Sequence, residues 1–219
     1  MKKTMTSTPP SPPPARATYR HGDLRRALLE AGIELARSGG PEAVVLREAT
    51  RRAGVVPNAA YRHFAGRQAL FQAVRAAGLA AVAVAMEAEL ATLRPTKDPA
   101  EFARASVRAV GTGYLRFAQS ETGLFRTAFA TPIDVDGAPD EAKSGRSGLN
   151  PFELLGAALD RLVDAGVMPR AQRPGAEFLA WSAVHGLALL IIDGPLRGLP
   201  RPQADALGQR LLDMVEKGL

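Results

Sequence analysis

"GVVPNAAYRHF", residues 54–64, is the stretch on which the reading of this chain turns. Gly54 can swing the backbone through a left-handed conformation, and Pro57 suits the first turn of a helix, where its missing N–H would have had no partner. A helix from Pro57 places Ala60 and Phe64 on one face and Asn58, Tyr61 and Arg62 on another. Just upstream, "VLREATRRAG" sets Leu46, Ala49 and Ala53 on one side of a second short helix that ends at Gly54. Before it, "GDLRRALLEAGIELARSGG" carries Leu24, Leu28, Ala31 and Leu35 at helical spacing, with Asp23 to cap the start and Gly39 and Gly40 to stop it. Two short helices joined through a glycine make a helix-turn-helix, a motif whose second helix lies in the major groove of DNA.

Charge points the same way. Residues 1–67 hold 12 Lys and Arg against 5 Asp and Glu, whereas the rest of the chain holds 16 against 17, so the net charge of +6 belongs to the first third. Such asymmetry describes a polyanion-binding head on a neutral body. On the helix from Pro57, Asn58 and Arg62 are candidate readers of adenine and guanine edges, and Ala59 can touch a thymine methyl. Tyr61 and His63 are placed as phosphate donors, or else they cap and pack a small helical domain. Tyr19, Arg20, Arg47 and Arg67 complete the candidate DNA-binding set.

The remaining composition excludes more than it proposes. The 219 residues contain no cysteine, which removes disulfides and thiolate chemistry and fits a reducing, cytoplasmic setting. Residues 1–18, "MKKTMTSTPPSPPPARAT", lack the apolar run of a secretory signal and are too proline-rich for a helix, so they read as a disordered arm. The longest apolar run, residues 178–192, is short for a bilayer span and carries a histidine, which predicts a buried helix and no membrane partner. Three scattered histidines make no metal cluster, no nucleophile stands in a recognisable elbow, and no glycine-rich phosphate loop occurs. His185 near Asp193 is the sole support for catalysis, so the chain is read as no enzyme and as needing no cofactor.

Helical periodicity runs from Arg67 to the end with one break, residues 131–150, rich in Gly, Pro, Asp and Ser and expected as a mobile loop. The expected fold is therefore all-α: an arm at 1–18, a three-helix helix-turn-helix domain at 19–66, and a helical bundle at 67–219. In that bundle Tyr114, Phe117, Phe125 and Phe129 suit either a plain core or the lining of an apolar cavity. Trp181 and His185, four apart on one helix face, are satisfied core or interface groups, or else ligand contacts. Apolar residues on two later helices, Leu154, Leu155, Ala158 and Leu162 on the first and Phe178, Leu189 and Ile192 on the second, exceed what one subunit's body needs. Together they are expected to pair with a second copy.

The pattern "LREATRRAGVVPNAAYRHFAGRQALFQAV" resembles the DNA-binding domain of the tetracycline-repressor (TetR) family of transcriptional regulators. The shared features are a Leu-Arg start, Ala-Gly-Val at the turn, Tyr-x-His-Phe at the end of the recognition helix and a basic residue three places later, here Arg67. "LAWSAVHGLALLIIDG" resembles a C-terminal subtype of the same family marked by Trp-x-x-x-His-Gly. The resemblance implies double-stranded DNA with a roughly palindromic operator as partner, a homodimer, a cavity for a small apolar effector in the second domain, and most simply a repressor released by that effector. An effector-independent regulator or an architectural DNA binder is the alternative. The chain departs from the family at the two helix N-caps, where Val45 and Val56 replace the usual Ser or Thr and leave Glu48 without its capping-box partner. Thr50 stands where alanine is usual and Ala60 where leucine often packs.

Overall fold

The computed structural model describes residues 21–132 and 140–218, and of residues 21–23 the backbone alone. Among the described residues the α-helices are α1 (His21–Gly39), α2 (Leu46–Arg52), α3 (Pro57–Ala60), α4 (Arg67–Leu90), α5 (Pro99–Ser120), α6 (Thr122–Ala128), α7 (Pro151–Asp164), α8 (Ala176–Ile192) and α9 (Arg201–Gly218). Short 3-10 turns occur at Pro41–Ala43, Glu141–Lys143 and Arg170–Gln172. The 1–18 arm, Tyr19 and Arg20 lie outside the described residues. α1 is already helical at His21, ahead of Asp23, so that residue is not its N-cap.

The head is α1–α3 closed over the start of α4. Leu28, Leu35, Leu46, Ala49, Ala60 and Phe64 are buried together with Leu70 and Val74, as the helical spacing of the sequence requires. Gly54 takes φ 68°, the left-handed conformation that makes the turn between α2 and α3. The body is built around α5, which touches α4, α6, α7, α8 and α9. α5 starts cleanly because Asp98 accepts from Ala100 N at 2.9 Å and Pro99 occupies the first turn. α7 has a full capping box: Asn150 Oδ1 accepts from Phe152 N and Glu153 N, and Asn150 N donates to Glu153 Oε2 at 2.7 Å.

α4 joins the two halves. By length and composition it is apolar enough to cross a membrane, with mean hydropathy 1.7, yet 56% of that window is buried inside the molecule against neighbouring helices. Gly113 of α5 lets α4 come close, since a Cβ there would stand 2.6 Å from Ala85 O and Met86 Cα. Two charged side chains of α4 hold the connection between α6 and α7. Arg75 donates through Nη2 to the carbonyls of Thr131 and Pro132 at 3.2 and 3.0 Å. Three turns further on, Glu87 accepts from Arg146 N, Ser147 N and Ser147 Oγ at 2.6–2.9 Å.

Two expectations are corrected. The 131–150 stretch, expected as a patternless mobile loop, is hydrogen-bonded structure over 140–150: the Glu141–Lys143 turn, capped by Asp140, leads into the segment held by Glu87 and then into the α7 cap. A carboxylate some sixty residues away supplies partners that the segment's own composition lacks, and residues 133–139 lie outside the described residues. Secondly, Leu154, Leu155, Ala158 and Leu162 of α7 and Ile192 of α8, expected at a subunit interface, are buried inside the subunit. The outer side of α7 carries the exposed Asp160, Arg161 and Asp164 instead, so its apolar stripe is spent on the subunit's own core.

Candidate functional site

The head presents a short recognition element. α3 is a single turn, and the chain continues through 61–63 as a turn in which His63 N and Phe64 N both donate to Ala60 O at 2.9 Å, so this helix is shorter than expected. The facing is nevertheless the expected one: Asn58, Tyr61 and Arg62 are exposed, Ala59 and His63 half-buried, and Ala60 and Phe64 buried. Arg47, on the first turn of α2, is also exposed. The Arg25 guanidinium lies 5.3 Å over the Phe64 ring, a cation–π contact that helps seat α1 on this element. Arg67 is less available than its place in the pattern implied. Its Nε donates to Val44 O at 3.0 Å and its Nη2 to Pro41 O at 3.3 Å, making it a strut between α4 and the turn before α2.

Both N-caps are valine in extended backbone conformation, and neither offers a side-chain bond. They do not pack as compensation, since Val45 is 39% and Val56 68% exposed. Glu48, freed from a capping box, accepts from Arg51 and Arg52, and the Arg51 hydrogen bond leads in holding its carboxyl down to about 2. Val45→Thr and Val56→Ser are therefore each expected to stabilise the head by about 0.5–1 kcal/mol, read as a raised midpoint in thermal unfolding. A lowered midpoint would show that valine contributes packing that outweighs the missing cap.

The body holds a partly open cavity of about 70 Å³, walled by Leu79 and Met86 of α4, Val107, Val110, Gly111 and Tyr114 of α5, Phe152 and Leu155 of α7, Ala180, Trp181 and Val184 of α8, and Leu212 and Val215 of α9. Phe129 closes one side, while Asp140, Lys143 and Asn150 supply a polar rim, Lys143 pairing with Asp140 at 3.1 Å. A second, shallower cleft on the surface is lined by Phe129, Ala130, Thr131, Pro132, Trp181, Ser182 and His185. Phe129 and Trp181 thus belong to both. Of the six aromatic and histidine candidates, Tyr114, Phe129, Trp181 and His185 line one or both spaces. Phe125 lies beneath them, wholly buried, with its ring against Tyr114, Phe129 and His185. Phe117 is a buried core residue that lines neither.

Hydrogen bonds tie this cluster together. Trp181 Nε1 donates to Tyr114 Oη at 3.2 Å, and the same oxygen lies 2.7 Å from His185 Nδ1. Burial pushes the Tyr114 phenol well above its ordinary range and the His185 imidazole below its own, so each is neutral near pH 7. Asp193, eight residues from His185 and grouped with it in the sequence reading, is instead engaged by Arg126. Among the described residues no cluster of His, Cys, Asp and Glu could hold a metal ion. The rim residues Asp140, Lys143 and Asn150 went unpredicted, their only signal being the Asn150-Pro-Phe-Glu153 capping sequence.

Family models match both halves of the chain: one for "Bacterial regulatory proteins, tetR family" over residues 28–74, and one for "Tetracyclin repressor-like, C-terminal domain" over residues 107–215. The chain belongs to the TetR family. TetR-family proteins are transcriptional regulators that bind DNA through a helix-turn-helix, not enzymes. Among solved structures, a protein of unknown function from Rhodococcus sp. RHA1 is 26% identical, with TM-score 0.71 over 93% of this chain and 99% of that one. The regulator FadR from Bacillus subtilis in complex with stearoyl-CoA shares the fold at 13% identity, TM-score 0.60, over 89% and 98%. A TetR variant from Acinetobacter baumannii AYE in complex with minocycline does so at 19% identity, TM-score 0.53, over 87% and 93%. No protein of curated function matched the sequence.

Proposed function

We propose that this TetR-family regulator is a cytoplasmic homodimeric repressor that leaves a roughly palindromic operator when a small apolar molecule enters the body. The observation that carries the reading is the joining, through α4, of a helix-turn-helix head with an exposed polar and basic face to a body containing an apolar cavity with a few polar groups. The ligands of FadR and of the Acinetobacter TetR variant support an effector role for such a cavity. Its small open volume favours a second reading, a regulator that answers to no effector, because about 70 Å³ holds a few waters and not a drug-sized molecule. A heat-stability screen against hydrophobic metabolites separates the two, since a ligand that binds only the native state raises the midpoint.

Dimerisation is assigned here to α8 and α9. Leu179 is 67% exposed, and with Ser182, Gly186 and Leu190 it forms one stripe along α8, flanked by Phe178 and Leu189. Met214 of α9 is likewise exposed. A Cβ at Gly186 would meet nothing within 4 Å in the subunit, leaving room for another backbone. A two-fold pairing of these helices sets two heads for successive major grooves.

In the head, Asn58 and Arg62 are proposed to read bases and Ala59 to touch a thymine methyl, with Arg47, Tyr61 and His63 on phosphates and Tyr19 and Arg20 on the adjoining backbone. Arg62→Ala is expected to cost about 1–3 kcal/mol on the operator and to relax one base position. Arg47→Ala should weaken all duplexes alike and reduce the salt slope by about one. Binding titrations on operator and random duplexes decide it: an equal loss on both for Arg62→Ala would remove that residue from base reading.

A further inference from the structure

The hydrogen-bond chain between α8 and α5 has a direction that chemistry dictates. An indole N–H only donates, so Tyr114 Oη must accept from Trp181 Nε1. The phenol is buried and keeps its proton, and among the described residues its other hydrogen-bond partner is His185 Nδ1 at 2.7 Å. If Nδ1 carried the imidazole proton, the phenol oxygen would receive two donors and its own buried O–H would have no acceptor, a costly arrangement. With the O–H donating to Nδ1, the indole N–H, the phenol and Nδ1 are all paired, and the proton of the neutral imidazole resides on Nε2. Nε2 is the edge turned away from Tyr114, on a half-buried ring that lines the surface cleft.

The cleft and the inner cavity share Phe129 and Trp181, whose ring centroids stand 6.3 Å apart, and His185 lies 5.1 Å from Phe129 and 5.8 Å from Trp181. Among the described residues lining either space, the one cation is Lys143, already paired with Asp140. We propose that His185 is a specificity-determining donor that reads, through Nε2–H, the carbonyl oxygen of a flat, uncharged aromatic molecule seated against Phe129 and Trp181. Tyr114 and Trp181 are positioning residues that hold the required tautomer. The ligand class rests on the effector reading given above, whereas the tautomer does not.

Long-range proton–nitrogen spectra of the full chain test the tautomer, His185 being one of three histidines and assignable by substitution. At pH 7.5 an acceptor-type Nδ1 and a protonated Nε2 are expected, with Tyr114→Phe giving a mixture of tautomers. A dominant Nδ1–H form or an imidazolium in the wild type would overturn the proposal. The second arm compares acetophenone with α-methylstyrene, equal in shape but with C=CH2 in place of C=O. Acetophenone is expected to bind about three- to tenfold more tightly, the worth of one neutral hydrogen bond. His185→Phe should abolish that ratio, and His185→Gln, which keeps an N–H donor, should retain part of it. Equal affinity for the two probes, or binding of neither while other hydrophobic compounds raise the melting midpoint, overturns the carbonyl-reading role. If no compound of any kind binds while the tautomer stands, the effector reading is what fails.

Discussion

Glutamate at Leu179 and Leu190 together is expected to turn the protein into a monomer and to weaken operator binding by about a hundredfold or more, the gain that tethering two weak heads confers. Both side chains are exposed on α8 in the isolated subunit, so the change leaves the subunit's own core intact and its melting little altered. Sedimentation at micromolar concentration and a binding titration on the operator measure the two consequences separately. A variant that stays dimeric would move the interface elsewhere, and a monomer with full affinity would remove the need for two heads. Charges at Ala158 or Leu162 would be uninformative, because those residues are buried within the subunit and their replacement unfolds it.

Gly113→Ala is expected to destabilise the fold markedly. The added methyl would stand 2.6 Å from the Ala85 carbonyl oxygen and from Met86 Cα, backbone atoms that cannot swing aside as a side chain can. Overpacking of this kind costs about 1–3 kcal/mol or more, because α4 and α5 must separate along their shared seam. Urea unfolding should show a lower midpoint, and an unchanged midpoint would mean that the seam yields without penalty. Gly186→Ala is the matching control, since its methyl meets nothing in the subunit and should leave monomer stability within about 0.5 kcal/mol. Any effect at Gly186 would then report on pairing between subunits.

Most of the fold was legible where one segment's own residues settled its state. Gly54, Pro57 and the spacing of Ala60 and Phe64 define the head by local chemistry, and the valine caps could be read because a cap is a single-residue decision. What stayed hidden depends on partners distant in sequence. The leucines of α7 announce an apolar stripe but not whether it faces α5 or a second subunit. Glu87 and the backbone of Ser147 are 60 residues apart, so the ordered rim of the cavity left no local trace beyond the capping sequence of α7. Trp181 and His185 were visible as a pair, yet the group that gives them meaning, Tyr114, comes from another helix 71 residues upstream of His185. Arg67 shows a different limit: its place in the pattern does not reveal that two of its donors serve the head's internal carbonyls.

The two clasps on α4 make that helix a lever. Its 24 residues form a rod about 36 Å long, and the head is attached at the Arg67 end. Arg75 grips the chain leaving α6 about a third of the way along, and Glu87 grips the chain entering α7 near the far end. A push on the rim at Asp140 and Lys143 is thus delivered to the end of α4 that lies far from the head. With a pivot where α4 crosses α5, a tilt of only about 5° would displace the tip of such a rod by roughly 2 Å. In a paired molecule the two tips swing together, so the spacing between heads changes by up to twice that amount, from a movement too small to disturb the packing around it.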